Sequence, residues 1–312
     1  MKKFSHIDDI DNFHSWIVAA KELKKNPLKY QELGKNKTIG LLFFNSSLRT
    51  RLSTQKAALN LGMNAIVMNI SKDAWGIEFE DEVIMNGTAA EHIKEAAAVV
   101  SQYCNVIAVR AFPSLTDKEK DESEEVLTAF IKHASVPVIN MESATGHPLQ
   151  GLTDAITISE NTTKQKPKVV LSWAPHVKAL PHAVGNSFVQ AMRKMDVEFV
   201  IANPKGYDLN PEITKDTPIY HNQEEAFKNA DFVYAKNWSS YEDYGKITKT
   251  DTDWMLTKEK ISNAKFMHCL PVRRNVVVED AVLDSDNSLV IEQANNRTFA
   301  VQLVLKKILE ND

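Results

Sequence analysis

Between Phe43 and Arg51 the chain places two hydroxyls, Ser47 and Thr50, and two guanidiniums, Arg49 and Arg51, directly after an apolar, β-like run at 38–42. The stretch that follows, 48–62, carries Leu48, Leu52 and Leu59 on one stripe at a period near 3.6, which predicts a helix. The first turn of a helix has unsatisfied N–H groups and the positive end of the dipole, so this junction attracts an anion. Arginine forks and hydroxyl donors would make it a site for a phosphate or carboxylate. An ordinary N-cap with solvated arginines has the same local signature, so the nonamer alone leaves both readings open.

Four further segments carry chemistry. Arg110 ends an apolar run at 106–110, as a solvated cap or as a group facing a ligand crevice. Glu142 and the sequence Gly146, His147, Pro148, Leu149, Gln150 follow a run at 136–140, and the proline turn with Gln150 one turn on favours a fixed polar cluster over a lone structural histidine. In the segment 266–275, Cys269 sits beside His268. Neighbours on an extended strand point to opposite faces, so His268 is a poor base for Cys269, and two ligands without a second pair are a weak zinc signal. Pro271 instead marks an irregular exit whose backbone carbonyls can accept hydrogen bonds from a ligand, with Arg273 and Arg274 adding positive charge. Asn295, Asn296 and Arg297 read as a helix start after a strand at 289–291. Arg49, Arg51, Arg110, Arg273 and Arg297 would then gather at the ligand edges of strands, in a chain of net charge −4.

The elements that must position these groups alternate. Strands are expected at 38–44, 65–70, 106–110 and 136–140, then at 168–173, 198–202, 231–235, 265–268 and 289–291. Helices are expected at 89–103, 123–133, 184–194, 224–229 and 296–309. This predicts an α/β protein with two doubly wound domains, each a mainly parallel sheet flanked by helices. The length of 312 residues suits two cores, with a boundary at or just before the polar stretch 160–168. The mixed-sign run 117–125 reads as a solvated loop entering a helix. Apolar and charged fractions of 43% and 25% are those of a globular protein, and the acidic balance argues against broad nucleic-acid binding. The start has no apolar signal region, no run reaches spanning length, and two cysteines make no disulfide framework; the expectation is a cytoplasmic protein.

Taken in order and spacing, Ser47 to Thr50, Arg110, His147 to Gln150 and His268 to Pro271 resemble the motifs of the aspartate and ornithine carbamoyltransferases and their acylornithine relatives, from about residue 38 to the C-terminus. The resemblance implies the transcarbamylase fold. A carbamoyl phosphate-binding domain would span 1–144, with a C-terminal helix at 293–312 packing back on it, and an acylornithine-binding domain 145–292. It also implies a homotrimer with active sites shared between subunits and no metal or organic cofactor.

By the same resemblance, carbamoyl phosphate is bound by Ser47, Leu48, Arg49, Thr50, Trp75 (from an adjacent subunit), Arg110, His147, Gln150, Cys269, Leu270 and Arg297. Arg110, His147, Thr50 and Cys269 act on the reacting carbamoyl group, Cys269 through its backbone carbonyl. Two departures from plain ornithine transcarbamylases, the stretch from Lys236 to Tyr241 and the continuation Val272, Arg273, Arg274, Asn275, resemble the N-acylornithine branch. There Glu142, His176, Lys236, Arg273 and Ala90 would hold the acylornithine. A glutamate typical of the acetyl-type enzymes is replaced by Ala90, although Glu91 adjoins it. The expected reaction is carbamoyl transfer to the δ-amine of N-succinylornithine, giving N-succinylcitrulline, as in arginine biosynthesis. The alternatives are the N-acetylornithine reaction or, more distantly, a non-catalytic anion-binding regulator.

Overall fold

The structure, a computed structural model, describes residues 1–247 and 252–310. Its strands are β1 (Lys3–Phe4), β2 (Thr38–Phe43), β3 (Asn64–Asn69), β4 (Ile77–Glu78), β5 (Glu91–His92), β6 (Val106–Arg110), β7 (Val138–Glu142), β8 (Lys168–Trp173), β9 (Glu198–Ala202), β10 (Ile219–Tyr220), β11 (Phe232–Lys236) and β12 (Lys265–Met267). They form two five-stranded sheets, β1-β7-β6-β2-β3 and β10-β9-β8-β11-β12, and a small pairing of β4 with β5. Every pairing is parallel. The chain divides into two compact units, one of residues 1–114, 119–149 and 298–312, the other of 115–118 and 150–297.

The central strands β2, β6, β8 and β11 are apolar almost throughout because helices cover both faces of a parallel sheet. In the first unit Leu42, Ile107, Val109 and Val138 pack with Ile93, Ala97 and Phe130 from the helices Ile93–Tyr103 and Glu125–His133. In the second, Phe188 of the helix Ala183–Met192 lies 4.3 Å, ring to ring, from Tyr234 of β11.

The expected segment 289–291 is not a strand. It opens the helix Val290–Leu309, which begins before the expected residue 296. Three consecutive apolar residues fit either element, and here Val290 is buried while Ile291 is exposed, as on a helix with one face inward. Consequently residues 295–297 lie inside a helix, and Arg297 is a buried side chain of its interior rather than part of an anion-binding helix start. Four strands have no counterpart among those expected, β1, β4, β5 and β10, each only two residues long and too short to leave a pattern. The helix Arg49–Asn60 forms as expected, but Leu48, Leu52 and Leu59 face outward; Thr50, Ser53, Thr54, Ala57 and Ala58 are its buried side.

In both sheets the strand order reverses beside a central strand, β2 in the first and β8 in the second. In the first unit the chain passes from β2 to β3 on one side and then crosses to β6 on the other. In the second it passes from β8 to β9 and then crosses to β11. The crevice outside the carboxyl ends at such a reversal is where open α/β sheets hold ligands.

Candidate active site

At the first reversal, Phe43 of β2 and Arg110 of β6 are register partners at the carboxyl edge. The chain leaves β2 and enters the helix Arg49–Asn60 at Leu48, which offers no side-chain cap of its own. Thr50 N–H donates to Ser47 Oγ at 3.3 Å, which folds the turn around the helix start. Asn45 Oδ1 accepts from Phe112 N–H at 2.6 Å and ties this turn to the segment beyond β6. Arg51 is directed elsewhere: it donates to Asn69 at the end of β3 and lies 5.1 Å over the Phe43 ring.

Arg110 is buried, and its Nη1 donates to Thr50 Oγ1 at 3.2 Å and to the Glu142 carboxylate. Its guanidinium stacks 4.4 Å from the Phe112 ring centroid, and its Nε has no hydrogen-bond partner. His147 Nε2 approaches Glu142 Oε2 at 3.4 Å. One buried carboxylate therefore holds two of the groups expected to act on a carbamoyl oxygen, and Glu142 takes its place in the first unit beside Arg110 and His147. The turn before His147 is clamped in addition by Glu124. Its Oε1 accepts from Ser143 Oγ at 2.8 Å and from Thr145 N–H at 2.7 Å. Glu124 itself has a left-handed backbone, φ 54°, and Asp121 is buried against Ser114. The run 117–125 is thus not simply a solvated loop, since two of its carboxylates are committed to neighbouring backbone.

In the second unit, Trp173 of β8 and Lys236 of β11 are register partners at the reversal. Ala174 N–H donates to Lys236 O at 3.1 Å and Asn237 Nδ2 to Ala174 O at 2.7 Å, so the two strand exits are knitted together. These exits carry His176 and Lys236. Arg273 Nε donates to His176 Nε2 at 3.3 Å, while His176 Nδ1 meets Lys178 O at 2.9 Å. Nδ1 also faces the Lys178 N–H at 3.3 Å, so the Lys178 backbone brackets one ring nitrogen and Arg273 the other. Burial first, and the nearby charges of Lys236, Arg273 and Lys178, push the His176 pKa below its usual value. The result is a neutral ring among cations, an arrangement that favours carboxylates. Arg274 is committed to Asp284 at 2.7 Å and Asp280 at 2.8 Å, an ion pair that fixes the following segment.

Beyond β12, His268 N–H donates to Gln293 Oε1 at 3.0 Å and Leu270 N–H donates to His268 Nδ1 at 2.8 Å. His268 thus uses its ring to shape its own loop, and Leu270 has φ 55° before a cis bond to Pro271. Gln150 is buried in the same unit, its Nε2 donating to Asp154 Oδ1 at 2.7 Å.

Residues 2–160 match the family model described as the aspartate/ornithine carbamoyltransferase carbamoyl-P binding domain, and 181–308 match the Asp/Orn binding domain of the same family. The chain belongs to the aspartate/ornithine carbamoyltransferase family. Among carbamoyltransferases, the N-succinylornithine carbamoyltransferase of Bacteroides fragilis is 49% identical over 316 residues, spanning 100% of this chain and 99% of the relative. The N-acetylornithine carbamoyltransferase of Xanthomonas axonopodis pv. citri is 37% identical, over 93% and 90% of the two chains. A crystal structure of a glutamate-to-valine variant of N-acetyl-L-ornithine transcarbamylase, complexed with carbamyl phosphate and N-succinyl-L-norvaline, superposes with a TM-score of 0.93. It is 34% identical and covers 99% of this chain and 100% of that one.

Within this carbamoyltransferase, Trp75 and Ala90 belong to neighbouring loops of the first unit. Ala90 N–H donates to Gly76 O at 3.0 Å, just beyond Trp75, and β4 pairs with β5 directly after Ala90. Trp75 is 62% exposed, which removes core burial as its role, and its Nε1 donates to Glu91 Oε2 at 2.7 Å. The Glu91 carboxylate is therefore engaged by the indole, while Ala90 is exposed. Sequence reasoning missed Glu124, Asp154, Tyr234 and Gln293, whose importance lies in buried partners distant in the chain. Among the described residues, no group of three His, Cys, Asp or Glu is placed to hold a metal ion, and no helix is long and apolar enough to cross a membrane.

Proposed function

We propose that the chain transfers the carbamoyl group of carbamoyl phosphate to the δ-amine of N-succinylornithine, giving N-succinylcitrulline and phosphate. The observation that carries the choice of substrate is the cationic cluster of Lys236, Arg273 and neutral His176 at the carboxyl edge of the second sheet. An N-succinyl amino acid has two carboxylates and no charged α-amine, so it needs cations and no acidic partner. Full-length identity of 49% to an N-succinylornithine carbamoyltransferase supports the same reading. So does the exposed Ala90, with Glu91 held by Trp75, where a glutamate would repel a succinyl carboxylate.

In this reading Ser47, the Leu48 backbone, Arg49 and Thr50 neutralise the phosphate, with Gln150 and Arg297 as further carbamoyl phosphate residues. Arg110, His147 and Thr50 donate to the carbamoyl oxygen and stabilise the oxyanion of the tetrahedral intermediate. The carbonyls of Cys269 and Leu270 orient the carbamoyl amide and the attacking amine. The new N–C bond forms as the C–O bond to phosphate breaks, and the phosphate takes the proton that the amine loses. A free alkylamine is mostly protonated at neutral pH, and surrounding cations favour its neutral form. Much of the acceleration comes from aligning two small reactants.

The proposal includes a homotrimer in which Trp75 and Ala90 serve a neighbour's site. Consistent with a buried surface in an assembly, Leu48, Leu52, Leu59, Ile66, Trp75 and Ile84 of the first unit are exposed apolar residues. It also includes a cytoplasmic setting, consistent with two cysteines that form no disulfide among the described residues.

The deciding experiment compares kcat/KM for N-succinyl-, N-acetyl- and free ornithine. The expected order places succinyl first and free ornithine last by orders of magnitude; comparable turnover of free ornithine would overturn the acylornithine reading. Because only the backbone of Cys269 is used, Cys269→Ser is expected to keep kcat within about tenfold, a ratio equal to 1.4 kcal/mol. A Cys269→Ser enzyme that binds carbamoyl phosphate normally yet shows no turnover would mean that the thiol itself takes part.

A further inference from the structure

The second unit contains a carboxyl group for which the reaction outlined above has no direct use. Asp154, on the helix Pro148–Asn161, is completely buried. Its Oδ1 accepts two amide N–H bonds, from Gln150 Nε2 and from Gln293 Nε2, each at 2.7 Å. Gln293 spends its other end on the backbone: its Oε1 accepts the His268 N–H at 3.0 Å. His268 in turn accepts the Leu270 N–H on Nδ1 at 2.8 Å. A continuous chain of hydrogen bonds therefore runs from Asp154 through Gln293 and His268 to Leu270, with Gln150 held at the same oxygen. The Tyr234 hydroxyl of β11 faces both Asp154 and Cys269 in this interior.

We propose that Asp154 is a positioning residue for carbamoyl transfer, holding the 268–270 loop and Gln150 in the arrangement the reaction requires. This rests on the carbamoyl-transfer reading, since it assigns to that loop the carbonyls that orient the carbamoyl group. A buried carboxyl is costly unless its acceptor sites are used; here Oδ1 accepts two amides, one of which, Gln293, continues to the reacting loop, while Oδ2 has no hydrogen-bond partner. The surrounding charged and titratable groups are Arg297 of the last helix, Tyr234 of β11 and Cys269 after β12. Burial raises the Asp154 pKa to about 7 despite the amide donors and Arg297. A carboxyl kept at that cost for packing alone could be replaced by an apolar residue without effect on the chemistry.

The test uses the full chain and three variants. Asp154→Ala removes the shared acceptor, Gln293→Ala cuts the relay to His268, and Asp154→Asn keeps an amide oxygen in the place of Oδ1. We expect kcat to fall at least 100-fold in Asp154→Ala and at least tenfold in Gln293→Ala, with KM for carbamoyl phosphate within about fivefold of wild type. Asp154→Asn should recover at least tenfold of the kcat lost in Asp154→Ala. Hydrogen exchange of the His268 and Leu270 amides, read without any substrate, should accelerate at least tenfold in the two alanine variants. Unchanged exchange at these amides overturns the relay, whatever the wild-type enzyme turns over. If exchange accelerates and the wild type is active, three results each reduce Asp154 to a packing role: kcat within threefold of wild type in Asp154→Ala, no recovery by Asn, or KM rising in step with the loss of kcat. Faster exchange with no wild-type turnover would locate the failure in the carbamoyl-transfer reading.

Discussion

Arg110→Ala is expected to lower kcat by about 10³-fold, the upper range for removing one donor to an oxyanion. Arg110 Nη1 already donates to Thr50 Oγ1 and to Glu142, so its guanidinium is fixed before any substrate arrives, and it needs no reorganisation during reaction. The same substitution has a second cost. Glu142 is buried beside His147 and would lose its cationic partner, and breaking such a pair destabilises by roughly 3–5 kcal/mol. The two effects are separable. The double variant Arg110→Ala, Glu142→Gln should regain most of the lost Tm, because no unpaired carboxylate remains, while kcat stays low. Recovery of kcat together with Tm would show that Arg110 matters for stability alone. A single variant with wild-type kcat would remove it from the reacting centre.

Ala90→Glu is expected to lower kcat/KM for N-succinylornithine by about 100-fold, close to 2.7 kcal/mol at 1.4 kcal/mol per tenfold. Two like charges a few ångströms apart in partly desolvated surroundings repel by that order, about 4 kcal/mol at 4 Å with an effective dielectric of 20. N-acetylornithine has no terminal carboxylate on its acyl group, so its kcat/KM should fall less than tenfold and the preference should narrow or invert. Glu91 is the natural control. Its carboxylate is held by Trp75 Nε1, so Glu91→Gln should leave the succinyl-to-acetyl ratio within about threefold, less than 1 kcal/mol. A larger change in Glu91→Gln than in Ala90→Glu would exchange the roles of the two residues.

The legible parts of this protein were those written in local pattern. The runs that became β2, β6, β8 and β11 are buried almost throughout and therefore mainly apolar, and their alternation with helices dictated two parallel sheets. Ser47, Thr50 and Arg110 could be singled out because each lies at, or a few residues past, a strand's carboxyl end, whereas His176 and Lys236 are named only through the resemblance to the acylornithine branch. The errors came where the local pattern was ambiguous. Residues 289–291 are as apolar as a strand but open a helix, and that moved Arg297 from a helix start to a helix interior. The stripe Leu48, Leu52, Leu59 marked the helix correctly while facing outward, because periodicity reports that a helix has two sides and not which one is buried.

The sequence by itself determined the α/β architecture and the order along the chain of the arginine- and hydroxyl-bearing segments at strand ends. The tertiary structure decided which groups share a partner. Glu142 joins Arg110 to His147, Glu91 is taken by Trp75, and Asp154 links Gln150 to a backbone N–H more than a hundred residues away. A polar side chain has no periodic signature. Its role depends on the donor or acceptor that folding brings within 3 Å, and such partners are set by strand order and helix packing.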